Sequence, residues 1–140
     1  MTTSLRQATC VVIDGRAVLI EGAPGCGKSS LALALIDRGA VLVGDDGVTL
    51  DQRDGRLWAS PPPNIAGLLE VRNVGLLDFP TGEGPVCLIL RLDPAAPRFV
   101  EVAAREVILG AVVPVIALFP DSPALALRAE WAVRKHASFG

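Results

Sequence analysis

An eight-residue glycine-rich segment, Gly22 to Ser29, constrains this chain more than any other feature. It reads Gly-Ala-Pro-Gly-Cys-Gly-Lys-Ser and fits the pattern G-x-x-x-x-G-K-[ST] in full. An apolar, β-type run precedes the segment and a helical pattern follows it, which is the context in which such a loop binds phosphate. The segment therefore predicts a strand, a phosphate-binding loop and a helix, in that order, within an α/β fold.

The residue types of this loop suit the binding of a nucleotide. Glycines allow successive backbone N–H groups to point at phosphate oxygens, and the helix that follows aims its positive end at the same anion. Lys28 is expected to reach the β- and γ-phosphates, and the Ser29 hydroxyl is expected to bind Mg²⁺. The candidate nucleotide-binding residues are Gly22, Ala23, Pro24, Gly25, Cys26, Gly27, Lys28 and Ser29.

Two adjacent acids follow the next predicted strand. Val41 to Val43 form a short apolar run that ends in Gly44-Asp45-Asp46. In a parallel βαβ unit the loops after both strands open at the same edge of the sheet, so these carboxylates are expected to face the phosphates. One acid would serve Mg²⁺ and the other would act as a general base toward an incoming hydroxyl. The alternative is a polar turn with no chemical role.

The remaining pattern predicts many strands and few helices. Apolar runs on both sides of Asp14-Gly15 and of Asp54-Gly55 predict two hairpins, and a helical or irregular run is expected between Pro61 and Leu69. Trp58 and Trp131 are expected to be partly buried. The predicted helices span 28–38 and 123–135, and further strands are predicted at 75–79, 86–91, 106–109 and 112–118. This pattern indicates an α/β chain with a mixed sheet.

Composition excludes several classes of protein. The chain has 140 residues, of which 51% are hydrophobic and 20% charged, so we expect one folded domain and not a disordered chain. A net charge of −2 gives no basic surface for nucleic acid. The uncharged run from Val107 to Phe119 is shorter than the roughly 20 residues that cross a bilayer. Three cysteines without C-x-x-C spacing indicate neither a disulfide framework nor a zinc site. We therefore expect a cytoplasmic protein without nucleic-acid or membrane partners.

Three features together resemble a known family. The phosphate loop, the Asp45-Asp46 pair shortly after it, and Leu69-Glu70-Val71-Arg72-Asn73-Val74-Gly75 resemble the catalytic domain of HPr kinase/phosphorylase. The resemblance extends from about Arg6 to Leu77, and the chain is similar to the short, single-domain form. It implies one P-loop catalytic domain over residues 1–140, with a mixed β-sheet and few helices. It also implies a homo-oligomer, a hexamer in the family, that uses ATP and Mg²⁺ to phosphorylate a serine of the phosphocarrier protein HPr.

The resemblance also assigns roles to individual residues. The proton-exchanging aspartate of the family falls on Asp46, with Asp45 beside it. Lys28 and Ser29 match the phosphate-binding lysine and the metal-binding serine. The second metal-associated acid falls on Glu70, and a later catalytic arginine falls on Arg98.

Three departures from the family pattern bear on activity. The family has a histidine at the position of Gln7, and glutamine carries neither a proton nor a positive charge there. Asn73 replaces a glycine, although asparagine tolerates a left-handed backbone. The segment from Phe119 to Pro123 lacks the arginine that the family uses to remove phosphate. Kinase activity is thus better supported than phosphorolysis. Two alternatives remain, a non-catalytic nucleotide-binding regulator and a P-loop kinase or ATPase that acts on a small molecule.

Overall fold

A computed structural model describes residues 3–64, 67–120 and 122–139 of the chain. These residues form eleven strands and two helices around one branched sheet. The elements are β1 (Thr3–Arg6), β2 (Thr9–Ile13), β3 (Arg16–Gly22), α1 (Lys28–Asp37), β4 (Val41–Gly44), β5 (Val48–Arg53), β6 (Arg56–Ser60), β7 (Leu68–Val71), β8 (Gly75–Asp78), β9 (Gly84–Leu92), β10 (Ala104–Ile108), β11 (Ala111–Leu118) and α2 (Leu125–His136).

The large sheet is mixed and branches at β9. Its main strand order is β1-β5-β6-β9-β3-β2-β4, and β11 pairs with β9 while β10 pairs with β11. The pairs β3–β9 and β9–β11 are parallel, whereas the hairpin partners and β4 are antiparallel to their neighbours. The strands β7 and β8 form a separate antiparallel hairpin. This arrangement confirms the predicted α/β fold with a mixed sheet and few helices.

The central strand β3 separates two apolar cores because its side chains alternate between the two faces of the sheet. Val18 and Ile20 lie in the core that α1 and α2 cover, and Ala17 and Leu19 lie in the core under β5, β6 and β10. All four side chains are fully buried. The continuous apolar run in β3 is therefore explained by burial on both faces.

The helices follow the predicted apolar stripes. In α1 the buried residues are Leu31, Ala32 and Leu35. In α2 they are Leu125, Ala129, Ala132 and Val133, which are the four residues that the sequence pattern placed on one face. The helix α1 ends before Gly39, whose φ of 109° is the left-handed conformation expected of a helix-terminating glycine.

The structure differs from the sequence predictions at three places. The sequence does not predict β1, because its alternating exposure gives only a weak pattern and its pairing with β5 is distant in sequence. The run between Pro61 and Leu69 is irregular, as predicted, in its described residues up to Gly67, but Leu68 and Leu69 begin β7, and residues 65 and 66 lie outside the described residues. Trp131 is 63% exposed and not partly buried, whereas Trp58 is half-buried as predicted.

Two simpler expectations can be compared with the structure directly. The three cysteines Cys10, Cys26 and Cys87 are free thiols in the structure. Among the helices of the described residues, none is long and apolar enough to cross a membrane.

Replacing Leu35 with alanine tests the helix-covered core. Leu35 is fully buried between α1 and the sheet, so Leu35→Ala removes packed methyl groups and leaves a cavity. We expect urea unfolding to show a loss of about 2–5 kcal/mol in the free energy of unfolding. Leu127→Ala is the matched control, because Leu127 is 46% exposed on α2. Equal losses in both variants would contradict the assignment of α1 to the core.

Candidate active site

The segment Gly22 to Ser29 forms a compact loop between β3 and α1. The N–H of Cys26 donates to the carbonyl of Ala23 at 3.1 Å, which closes a turn within the loop. The helix α1 then begins at Lys28 with no side-chain cap at its N-terminus. Its first N–H groups therefore point toward the loop without a side-chain acceptor of their own, and such groups bind anions.

Gly22 is the position where the loop leaves no room for a side chain. A Cβ atom there would lie 2.6 Å from the Sγ of Cys26 and 3.0 Å from the carbonyl oxygen of Leu92 in β9. Cys26 is half-buried, and its Sγ atom occupies the space beside this glycine. The start of the loop is therefore held tightly against the end of β9.

Asp45 connects three separate parts of the chain. Its Oδ1 accepts hydrogen bonds from the Ser29 hydroxyl at 2.8 Å and from the Thr9 hydroxyl at 3.1 Å. Its Oδ2 accepts a hydrogen bond from the backbone N–H of Glu70 at 3.2 Å. The side chain is buried, at 8% residue exposure. A buried carboxylate with three donors is a fixed part of the site and not a solvated turn residue.

The sheet explains why Asp45 reaches the phosphate loop. The strand β2 is antiparallel to both β3 and β4, so β3 and β4 run in the same direction and end at the same edge. The prediction that the acids follow a strand ending at this edge agrees with the structure, although β2 lies between the two strands. The turn after β4 is tight, since a Cβ on Gly44 would lie 2.1 Å from the carbonyl oxygen of Gly47.

Asp46 and Lys28 complete the polar groups beside the loop. Asp46 is exposed, and its φ of 61° turns the chain sharply after the buried Asp45. The Nζ atom of Lys28 lies 3.1 Å from the carbonyl oxygen of Gly22 and 3.3 Å from that of Ala23, directly against the loop. The two neighbouring acids thus differ in environment, one buried and hydrogen-bonded and the other open to an incoming group.

The hairpin β7–β8 brings only its backbone to Asp45. The N–H of Glu70 contacts Asp45, whereas Glu70 itself is exposed, as are Arg72 and Asn73 at the turn. Asn73 has a φ of 70°, a left-handed conformation that asparagine tolerates better than most residues. Asparagine therefore suits the backbone at the position where the resemblance implies a glycine.

The remaining sequence candidates are Arg98, Gln7 and the segment Phe119 to Pro123. Arg98 is exposed in the segment after β9 and lines a cavity with residues of α2, and no residue of the phosphate loop lines that cavity. Gln7 is exposed between β1 and β2, two residues before Thr9. In the segment Phe119 to Pro123, Asp121 lies outside the described residues.

Sequence reasoning missed Thr9 and a ring of four charged side chains beside the loop. Glu21 immediately precedes the loop, and its carboxylate accepts hydrogen bonds from Arg6 Nε at 2.5 Å and Arg91 Nε at 3.4 Å. Both arginines also donate to Glu106, Arg6 through Nη2 at 2.7 Å. Only the pairing of β3 with β9 brings Glu21 opposite Arg91, so no local motif could have identified this ring.

The ring perturbs the ionisation of its members. The pKa of the Arg6 guanidinium is raised, chiefly by its hydrogen bond to Glu21. Partial burial by itself raises the pKa of Glu106, but hydrogen bonds and positive charge from Arg6 and Arg91 outweigh it and lower that pKa below its ordinary value. The contacts within the ring thus favour the charged forms of Arg6 and Glu106 beside the phosphate loop.

The side chains present fit a magnesium ion that shares its ligands with a nucleotide. Mg²⁺ prefers oxygen ligands and is held by one or two protein oxygens together with substrate phosphates and water. The Ser29 hydroxyl and the Asp45 carboxylate provide such oxygens at the loop, 2.8 Å apart. Glu70 contributes its backbone to this cluster. In the described residues, no group of three or more His, Cys, Asp and Glu side chains is placed to hold a metal by itself.

The comparisons with known proteins agree with this geometry. The family model described as HPr Serine kinase C-terminal domain matches residues 2–86, more than half of the chain. The chain belongs to this family. A solved structure titled as the Hpr(Ser) kinase/phosphatase from Coxiella burnetii matches with a TM-score of 0.82 and 35% sequence identity. The match covers 94% of this chain and 88% of that one, so the shared fold includes the part beyond residue 86.

Curated members of the HPr kinase family are similar over about half of the chain. The HPr kinase/phosphorylase of Clostridium tetani is 45% identical over 73 residues, which are 51% of this chain and 24% of that protein. The HPr kinase/phosphorylase of Streptococcus thermophilus is 48% identical over 69 residues, which are 49% of this chain and 22% of that protein. The match thus spans about a quarter of the length of these relatives.

Neutralising Glu106 tests the charge ring through its dependence on pH. Because the folded-state pKa of Glu106 is lowered, its ion pairs stabilise the fold above the ordinary pKa of 4.5 and are lost as the pH falls through the folded-state value. We expect the free energy of unfolding to fall more between about pH 7 and about pH 3 in the parent than in Glu106→Gln.

Urea unfolding at both pH values measures this difference. Glu101→Gln is the control, because Glu101 is exposed and forms no ion pair with a described residue. The Glu101→Gln variant should show the pH dependence of the parent. If Glu106→Gln also shows the pH dependence of the parent, the ring does not stabilise the folded chain.

Proposed function

We propose that this chain is the catalytic domain of a kinase that uses ATP and Mg²⁺ to phosphorylate a serine of the protein HPr. One observation carries the proposal most strongly. The Ser29 hydroxyl at the start of α1 lies 2.8 Å from the buried carboxylate of Asp45, beside a complete phosphate loop. The family and the names of its relatives supply the acceptor, since each is named for HPr.

The proposed mechanism relies on positioning and charge neutralisation. The backbone N–H groups of the loop and the N-terminus of α1 bind the phosphates, and Lys28 neutralises charge on the transferring group. Ser29 and Asp45 hold Mg²⁺, which supplies charge neutralisation at the phosphate oxygens when it is bound. Thr9 and the Glu70 backbone keep the Asp45 carboxylate in place through their hydrogen bonds.

Asp46 is the proposed general base. It is exposed next to the buried Asp45, so a serine hydroxyl from a protein acceptor has access to it. In this proposal Asp46 takes the proton from that hydroxyl as the phosphoryl group transfers. The catalytic role of Arg98 stays a prediction, because Arg98 lines a cavity that no residue of the phosphate loop lines.

A second candidate function is a nucleotide-binding regulator without turnover. Gln7 favours it, since a histidine at this position could carry a proton or a positive charge and glutamine cannot. For the same reason, and because residues 119–123 contain no arginine, we propose that phosphorolysis is weak or absent. We also propose that the protein is cytoplasmic and forms a homo-oligomer, which the resemblance implies is a hexamer.

Incubation with labelled ATP, Mg²⁺ and purified HPr distinguishes these functions. A kinase of the proposed type yields labelled HPr. A regulator retains bound, intact nucleotide, and an ATPase or small-molecule kinase releases label without modifying HPr. Unlabelled HPr together with rapid release of phosphate would overturn the proposal.

Lys28→Ala tests the nucleotide site. Lys28 is the lysine of the phosphate loop, and its ammonium group lies against that loop. We expect calorimetry to show the loss of tight ATP binding, because the charge that faces the β- and γ-phosphates is removed. Lys135→Ala, at the only other lysine of the chain, is the matched control and should bind ATP normally. Unchanged affinity in Lys28→Ala would refute the phosphate-loop assignment.

A pair of substitutions separates the roles of the two acids. Asp46→Asn should keep ATP affinity and reduce transfer to HPr by about 10²–10⁴-fold, because an amide does not accept the serine proton. Asp45→Asn should reduce both Mg²⁺-dependent ATP affinity and transfer, because it weakens the contacts to Ser29 and to the Glu70 backbone. A loss of less than about tenfold in Asp46→Asn would remove Asp46 from the role of general base.

Gln7→His tests the departure from the family pattern. A histidine there is mostly protonated below about pH 6.5 and then stabilises negative phosphate oxygens. We expect faster transfer to HPr in Gln7→His, with a larger gain at about pH 6 than at about pH 8. Gln52 is the other glutamine of the chain and is exposed on β5, so the variant Gln52→His serves as the control. Equal rates in Gln7→His and the parent at both pH values would show that residue 7 is a spectator.

A further inference from the structure

A cavity of about 620 Å³ lies between the segment after β9, the end of β11 and one face of α2. We call it the α2 cavity, and six of its lining residues define it here: Arg98, Phe99, Phe119, Arg128, Trp131 and Lys135. Its volume falls within the range of about 300–1,000 Å³ that is usual for small-molecule sites. None of the loop residues, Asp45, Asp46 or Glu70 lines it.

Three exposed aromatic side chains line the α2 cavity. Phe99, Phe119 and Trp131 are 74%, 45% and 63% exposed. Ile116 and Leu118 of β11 also line it. Exposed apolar side chains gathered in one concave surface are a mark of binding.

The described charged side chains that line the α2 cavity have one sign. Arg98, Arg128 and Lys135 line it, and none of the described aspartates and glutamates does. No described carboxylate forms an ion pair with any of these three residues. This local excess of positive charge contrasts with the net charge of −2 of the whole chain.

A second cavity of about 280 Å³ provides a comparison within the same molecule. It is also lined by arginines, but Asp14 and Glu130 lie among them, and Arg38 donates to Glu130 at 2.8 Å. The cations of that cavity therefore have acids beside them. Those of the α2 cavity are available to a bound anion.

We propose that the α2 cavity binds a small organic anion with an apolar body, either a carboxylate or a phosphate ester. The apolar body would pack against Phe99, Phe119 and Trp131, and the anionic group would contact Arg128 and Lys135. The guanidinium of Arg134 lies over the ring of Trp131, 4.7 Å from its centroid. This site is separate from the nucleotide site and does not depend on the proposed kinase activity.

Both parts of the ligand are needed to explain the lining. An inorganic anion would leave the aromatic side chains exposed to water, and a neutral apolar molecule would leave the cations without a partner. An amphipathic anion satisfies both, since charge-assisted contacts fix one end and apolar burial stabilises the other.

The two indole N–H resonances of the parent protein provide the readout. Trp131 lines the α2 cavity, whereas Trp58 lies in β6, where its N–H donates to Glu83 at 3.2 Å. In ¹H–¹⁵N spectra we expect octanoate or octyl phosphate to shift the Trp131 resonance saturably and to leave that of Trp58 in place. The variant Trp58→Phe assigns the two signals. Acetate and 1-octanol should both bind at least about tenfold more weakly than octanoate, since each lacks one half of the ligand.

Charge variants test the polar half of the site. Arg128→Ala and Lys135→Ala should each weaken octanoate binding by about fivefold or more, because a charge-assisted contact is lost. Arg105→Ala is the matched control, since Arg105 is an exposed arginine of β10 outside the cavity. Lys28→Ala should bind octanoate as the parent does.

Four results would overturn the proposal. They are an unmoved Trp131 resonance, equal binding of 1-octanol and octanoate, an equal effect of Arg105→Ala and Arg128→Ala, and loss of octanoate binding in Lys28→Ala. The last result would place the anion at the phosphate loop. An acidic peptide that shifts Trp131 while octanoate does not would show that the surface binds proteins instead.

Discussion

The buried carboxylate of Asp45 is the contact on which the arrangement of the site depends. It accepts one hydrogen bond from α1 through Ser29, one from β2 through Thr9, and one from the backbone of β7 at Glu70. These elements are far apart in sequence, and a single buried acid holds them together at the edge where the phosphate loop begins. A buried carboxylate that lost one donor would be left with an unmet hydrogen bond at substantial cost, so the three contacts support one another.

Local sequence signals were sufficient for most of the fold. The Asp14-Gly15 and Asp54-Gly55 turns, whose aspartates adopt positive φ, identified both hairpins, and helical periodicity identified α1 and α2 within two residues at each end. Local sequence signals do not predict the pairing of strands that are distant in the sequence. β1 is recognisable only by its pairing with β5, and β7 only by its pairing with β8 and its packing on α1.

The candidate site shows the same difference between features that local sequence predicts and features that depend on long-range contacts. The phosphate loop and the Asp45-Asp46 pair were identified from residue types and spacing, because their chemistry is local. Thr9 contacts Asp45 across the sheet, and the ring around Glu21 joins side chains from several strands. The residues next to them in the sequence therefore do not predict either contact. The sequence also could not distinguish the two acids, since the contrast between a buried Asp45 and an exposed Asp46 arises only after β4 joins the sheet.

The position of β9 at the branch of the sheet has a consequence for how the chain folds. β9 is the parallel partner of β3, yet about seventy residues separate the paired positions Ala17 and Val86. During synthesis from the N-terminus, the apolar β3 therefore emerges long before the strand that covers its open edge. Parallel pairings of such long range are slow to form, and an open apolar edge invites pairing with other chains. The completion of β9 covers this edge of β3, and the edge of β9 itself is covered only when β11 pairs with it.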